Sequence, residues 1–226
     1  HLEKSGLVEN TIVMFSSDNG SQEVGSNDPL RGEKAFNFEG GIRVPFIARW
    51  PAKIPEGIKT DYVGSFTDIF PTFATLTNTT MPDSIPYDGI DIYEVLLTGK
   101  FEQQRNDPVL FYRYFHDPIL MMRKGNWVIL GYDSLIGYEE DYNQKAFAKL
   151  KPKPGTPDWS MWGFQEAHME YINEVEAQHF ELYNIKEDPG QKNDLSEQHP
   201  EILNELKSQM IDLKNNMIEE GGNWYE

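Results

Sequence analysis

The sequence predicts an α/β unit over residues 1–105, followed by a small antiparallel sheet packed by a terminal helix over residues 106–226. Three observations carry that prediction. Short apolar runs rich in β-formers alternate with Gly/Asp/Pro loops and short helices in the first part. Near Arg105 the pattern changes to strand, tight turn, strand. Near the end, Leu203, Leu206, Met210, Leu213 and Met217 recur at spacings of three and four, which places them in one stripe of a helix.

The elements follow in order. "HLEKSGLVEN" reads as the last turns of a helix closed by Gly6, and therefore as the start of a cut fragment. Thr11 to Phe15 reads as a buried strand, Ser16 to Pro29 as the loop at its end, and Arg43 to Trp50 as a second strand closed by Pro51. "GSFTDIFPTFATLTN" has helical spacing through Ile69, Phe73 and Leu76, with Pro71 near its start. "TTMPDSIPYDGID" is a loop, and "IYEVLLTGK" a short helix capped by Gly99. Beyond residue 105, "PVLFYRYF", "ILMMRKGNWVILGY" and "HFELYNI" read as strands, with Lys124-Gly125-Asn126 as a hairpin turn. Residues 143–170 form a Pro-rich insertion that ends helically. The final helix has Pro200 in its first turn.

Composition excludes several classes. The 226 residues carry 20 Lys and Arg against 37 Asp and Glu, a net charge of −17. Nucleic acid is a poor partner for such a surface, because phosphate binding needs a basic face. An anionic substrate meets the same unfavourable field, but salt screens it beyond roughly 8 Å, so a cation inside a cleft prevails locally. The absence of cysteine removes disulfides, thiolate metal sites and a thiol nucleophile. No apolar run approaches the roughly 18 residues of a membrane span, and no signal peptide is visible.

The chemistry gathers in "FSSDNGSQEVGSNDPLRGEKAFNFEGGIRVPFIARWP", residues 15–51. Asp18 and Asn19 place a carboxylate and an amide oxygen side by side at a strand's end, two hard ligands of the kind Ca²⁺ or Mg²⁺ favours. Read alone, Asp-Asn-Gly is a simple turn, and two ligands do not fill a shell of about six to eight. Lys34 lies between glycines that permit close approach of a ligand, and an ammonium there holds an anion as a point charge. Read alone, it is a solvated surface lysine.

Their order changes the reading. Strand, Asp-Asn-Gly, polar loop, Gly-Glu-Lys, Glu-Gly-Gly, Ile-Arg-Val-Pro, strand, Trp-Pro resembles the sulfatase family of the alkaline-phosphatase-like superfamily. "RKGNWVIL" resembles that family's C-terminal hairpin, and "ELYNIKEDPGQKNDL" with "HPEILNEL" its C-terminal strand, turn and helix. The resemblance spans nearly the whole chain and is weaker between about residues 130 and 175. It implies the C-terminal portion of a mixed-sheet α/β domain plus the antiparallel subdomain. It further implies that Asp18 and Asn19 bind the metal, usually Ca²⁺ with Mg²⁺ as the alternative, and that Lys34 contacts the sulfate of a sulfated small molecule or glycan. Glu39, Gly40, Gly41 and Arg43 match the motif as architecture.

One departure matters. The family's catalysis needs a formylglycine made from Cys or Ser in Cys/Ser-x-Pro-x-Arg. The nearest candidate here, "SIPYD" at Ser84 to Asp88, has Asp88 where the arginine belongs and lies after Asp18. The nucleophile is therefore expected in an N-terminal half outside this chain, and the isolated chain is expected to be inactive. Two other readings stay open: a phosphoester or phosphonate hydrolase of the same superfamily, and a non-catalytic sulfated-glycan-binding module. Among the histidines, His116 in "FYRYFHDPIL" is the one substrate-contact candidate, against a structural role. Trp159 and Trp162 are candidates for sugar stacking or for anchoring their loop. The resemblance also implies a periplasmic or secreted location. A half-domain with open sheet edges favours self-association.

Overall fold

The computed structural model describes residues 1–22, 25–84, 86–103, 105–113, 117–133 and 172–221. The chain divides into two compact units: His1–Asp18 with Val44–Pro108, and Asn19–Arg43 with Val109–Glu226. The expected division near residue 105 assigned residues 19–43 to the first part. They pack instead with the second, because Phe38 is buried among Met121, Val128, Leu130, Tyr132, Tyr183 and Ile185.

The first unit contains β1 (Val13–Ser16) and β2 (Phe46–Arg49), paired antiparallel as a two-stranded ribbon. The strand expected to be buried is not: Phe15 is 62 % exposed and its cross-strand partner Ile47 60 %. Among the described residues, the ribbon has no third strand. The helix tail expected before Gly6 is a single turn with Gly6 at φ +71°, followed by a 3₁₀ turn over Val8–Asn10.

A 3₁₀ turn over Phe66–Asp68 leads into a helix over Ile69–Leu76. The Ser65 hydroxyl accepts from the Thr67 amide, and the Asp68 carboxylate accepts from the Ser65 amide, a reciprocal cap that fixes where the turn begins. Pro71 falls in the first turn, where its missing N–H costs nothing. The next helix, Tyr93–Thr98, ends at Gly99 with φ +68°, the left-handed stop expected of glycine.

The second unit holds a four-stranded antiparallel meander: β3 (Val109–Tyr112), β4 (Leu120–Lys124), β5 (Trp127–Tyr132) and β6 (His179–Asn184). Lys124 pairs with Trp127 across a two-residue loop whose first position is Gly125 at φ +59°. That conformation is one only glycine adopts without strain, and it matches the strand twist. Calling the helices so far unnumbered α2 (Ile69–Leu76) and α3 (Tyr93–Thr98), with α1 the single turn Glu39–Ile42, the terminal helix is α4, Pro200–Glu220.

One face of the meander packs on α4 around Leu120, Met122, Ile129, Leu182, Leu206 and Met210, and the other on Phe38. The predicted stripe is on the core side at Leu203, Leu206, Met210 and Leu213, whereas Met217 is exposed. Lys214 takes part in the burial in its place. Its ammonium donates to the Val175 carbonyl at 2.5 Å, and burial pulls its pKa below the usual lysine value. No described helix is long and apolar enough to cross a membrane.

Candidate active site

The segment Asn19–Arg43 folds back on itself before it meets the sheet. The Gly20 amide donates to the Gly41 carbonyl at 2.8 Å, the Gly40 amide to Arg31 at 2.7 Å, and the Lys34 amide to Ser21 at 3.2 Å. The Asn27 side chain clamps the loop from inside. Its oxygen accepts from the Ser21 amide, and its nitrogen donates to the carbonyls of Ser21 and Gly32. The glycines are required by proximity. A Cβ on Gly20 would lie 1.7 Å from the Gly40 carbonyl oxygen, and one on Gly41 would lie 2.1 Å from that of Phe36. Gly20→Ala should therefore cost about 1–3 kcal/mol by forcing backbone apart. Gly64→Ala, where the nearest atom is 3.9 Å away, should change the melting temperature little. Equal melting of the two variants would contradict this packing.

This folding brings Asn19 and Lys34 into one loop, two residues and none, respectively, from the Ser21–Lys34 backbone bond. Asp18 precedes Asn19 by one peptide at the end of β1 and is exposed; Asn19 is half-buried, and the Lys34 side chain is exposed. Ala35, next to Lys34, has φ +79°. A non-glycine residue in that region is held by its surroundings at a cost of about 1–3 kcal/mol, and such residues cluster at functional sites. His116, Trp159 and Trp162 lie outside the described residues.

The rear of the loop is fixed to the second unit's sheet. The Asn37 amide nitrogen donates to the carbonyls of Pro118 and Ile119. The Glu39 amide donates to Gln191 Oε1 at 3.0 Å. The Arg31 guanidinium stacks 4.2 Å from the Phe38 ring centre, donates to the Tyr183 hydroxyl, and faces Glu181 at 3.5 Å. Burial raises the pKa of Tyr183 and Tyr132, and Glu181 raises it further, so both hydroxyls remain neutral donors to that carboxylate.

Glu39 is 1 % exposed, with Arg123 at 3.5 Å and Arg43 at 3.7 Å. Burial raises its pKa above the ordinary 4.5, and the two arginines oppose that shift. A carboxyl whose folded-state pKa is raised stabilises the fold most below its unfolded pKa and loses that contribution as pH rises through the folded value. The stability of the wild type relative to Glu39→Gln should accordingly fall as pH is raised from about 4.5. Urea unfolding at stepped pH measures this, and a difference that grows with pH would show the arginine pairs prevailing over burial.

Sequence reading passed over Arg31, Arg123 and Gln191. Their partners lie 152, 84 and 152 residues away along the chain, so no local pattern announces them. As a metal centre, Asp18 and Asn19 supply oxygen donors of the right hardness. Among the described residues, no three His, Cys, Asp or Glu side chains converge, so the pair matches a divalent cation in donor type alone.

Comparison with known proteins agrees with the loop's design. Residues 1–79, which include the whole Asp18–Arg43 segment, match the family model described as Sulfatase. Mouse Arylsulfatase J is 31 % identical over 215 residues, covering 91 % of this chain and 35 % of that protein. The chain belongs to the sulfatase family. Human steryl-sulfatase is 42 % identical over 123 residues, half of this sulfatase chain and 21 % of that protein. A solved structure from Bacteroides thetaiotaomicron, described under the metabolism of multiple glycosaminoglycans, superposes with TM-score 0.63 at 26 % identity, covering 94 % of this chain and 40 % of that one. The sulfatase chain thus spans about a third or less of the curated relatives named here. Its fold is a portion of that solved structure's: helices with antiparallel sheets and, among the described residues, no closed barrel.

Proposed function

We propose that this chain contributes part of the metal and sulfate site of an enzyme that hydrolyses sulfate esters. The observation that supports the reading is the folded Asn19–Arg43 loop, in which the Ser21–Lys34 and Gly20–Gly41 backbone bonds draw the backbone beside Asn19 to that of Lys34. Lys34 is an exposed ammonium at the rim of that loop and neutralises a sulfate oxygen. The Asp18 carboxylate and Asn19 amide oxygen hold a divalent cation, Ca²⁺ or Mg²⁺. When bound, that ion supplies a Lewis-acid charge that stabilises oxyanions in the transition state. These cations give the local field that a net charge of −17 lacks. The nucleophile, a formylglycine, belongs to a further N-terminal part. The substrate is a sulfated small molecule or glycan, and the location periplasmic or secreted.

The test pairs two preparations. The pure 226-residue chain should not turn over an aryl sulfate. The protein that also carries a formylglycine-bearing N-terminal part should do so, lose activity on chelation, and recover it with Ca²⁺ or Mg²⁺. Turnover by the short chain alone, or full activity of the longer one in excess chelator, would refute the reading.

A further inference from the structure

Asn19–Gly20 is the only Asn-Gly dipeptide in the sequence; every other asparagine precedes a residue with a side chain. That difference is chemical. Glycine leaves the following amide nitrogen uncrowded, so it can attack the asparagine side chain, the reaction that makes asparagine a thermolabile residue. The Gly20 nitrogen gives its proton to water and attacks the Asn19 side-chain carbonyl carbon. A C–N bond forms, the bond to Nδ2 breaks, and the nitrogen leaves as ammonia with a proton taken from water. Water then opens the five-membered imide at either carbonyl. The product at position 19 is aspartate or isoaspartate, and nothing is oxidised or reduced.

The folded loop withholds what that attack requires. The Gly20 N–H is committed to the Gly41 carbonyl at 2.8 Å, and the next amide, that of Ser21, to Asn27 Oδ1 at 2.8 Å. The peptide planes on both sides of Gly20 are thus pinned, and its nitrogen is held away from an attacking orientation. Close packing adds to this. A Cβ on Gly20 would lie 1.7 Å from the Gly40 carbonyl oxygen, so turning the Asn19–Gly20 peptide has to displace the chain at residue 40. That chain is itself held, because the Gly40 amide donates to the Arg31 carbonyl at 2.7 Å and the Gly41 amide to that of Phe38 at 2.9 Å.

We infer that Asn19 is a latent deamidation site, and that the Gly20–Gly41 hydrogen bond is the latch that keeps it intact. The reaction proceeds only from the open loop, so its rate is set by how often the loop opens locally. Closing again does not reverse it. Both products exchange a neutral amide for a carboxylate, and isoaspartate also adds a methylene to the main chain beside Asp18. The loop therefore records its own openings as a permanent negative charge at position 19. Where Asn19 serves the proposed metal pair, that pair changes from one carboxylate to two. The latch itself needs only the loop geometry and is independent of the roles given to Asp18, Asn19 and Lys34.

The 226-residue chain is incubated folded in mildly alkaline buffer, beside a synthetic peptide of residues 15–22 as the unlatched reference. Peptide mapping by mass spectrometry follows conversion at residue 19, and hydrogen exchange follows the Gly20 amide. Conversion should be at least about tenfold slower in the folded chain than in the peptide. In urea below the unfolding transition, it should rise in proportion to exchange of the Gly20 amide. Gly41→Ala, whose methyl would meet the Phe36 carbonyl oxygen at 2.1 Å, should convert at least about fivefold faster than the folded wild type, with the amides of β5 still protected. Equal conversion in the folded chain and the peptide overturns the proposal. So does conversion in the folded chain while the Gly20 amide stays protected, or a folded Gly41→Ala whose Gly20 amide exchanges faster without faster conversion. If Gly41→Ala does not fold, the two wild-type measurements decide. Lys34→Ala keeps the Ser21–Lys34 backbone bond and should convert at the wild-type rate whatever its activity, so a failure of the latch and a failure of the catalytic reading are told apart.

Discussion

Asp68→Ala should lower the unfolding free energy of the first unit by about 3–5 kcal/mol, the largest stability effect expected of a single substitution here. Asp68 is fully buried and Arg105 nearly so. One guanidinium nitrogen lies 2.8 Å from both carboxylate oxygens. The same carboxylate accepts from the amides of Ser65 and Ile90, and Arg105 donates to the carbonyls of Asp88 and Asp107. The pair therefore ties the start of α2, the loop before α3 and the end of the unit together. It does so in a unit with no buried hydrophobic side chain among its described residues.

Removing the carboxylate leaves a charge away from water with no counterion and two backbone donors unpaired, and that penalty, more than the lost attraction, sets the magnitude. Arg105→Met should cost less, because a carboxyl can be neutralised by protonation and a guanidinium cannot. The double variant Asp68→Leu/Arg105→Met should fall well short of the sum. Exchange of the Ile90 amide with solvent isolates this unit from the other. Protection within about 1 kcal/mol of wild type in Asp68→Ala would contradict the account.

Lys34→Ala should lower kcat/KM for a sulfate ester by about 10²–10³-fold in the complete enzyme, the range seen when one preorganised oxyanion contact is lost. The fold should not change. The side chain is exposed, and what anchors residue 34 is its backbone amide on Ser21, which alanine keeps. Lys34→Arg retains the charge but replaces a point charge by a broader planar fork, and should recover only part of the loss. Steady-state kinetics with circular dichroism as the fold control distinguish the outcomes. A loss smaller than about fivefold in Lys34→Ala would remove this residue from the site.

Much of the fold was legible because local chemistry determines it. Gly99 stops α3 and Gly125 turns the β4–β5 hairpin, since only glycine takes those backbone angles freely. Pro200 starts α4, since its missing donor is harmless there. The spacing of Leu206 and Met210 marks the helix face that is buried. The family of the Asp18–Arg43 segment was legible for a different reason: its motifs follow one another in a fixed order, and order is a property of sequence.

What the sequence misread depends on what lies across from a segment. The apolar run through Phe15 looks like a buried strand whether or not anything covers it, and only the structure shows it exposed. Lys214, on the helix and outside the predicted stripe, is buried with its ammonium donating to the Val175 carbonyl.

The sequence by itself determined the family, the turns and caps, and the residue types that a metal and a sulfate would need. Tertiary structure alone decided that the Asn19–Arg43 loop packs on the C-terminal sheet through Phe38 and Glu39, and that Asp68 and Arg105 find each other from 37 residues apart. The division has a physical basis. Backbone preferences and capping act over a few neighbouring residues, whereas burial and charge pairing are settled by which distant segments share one dry volume.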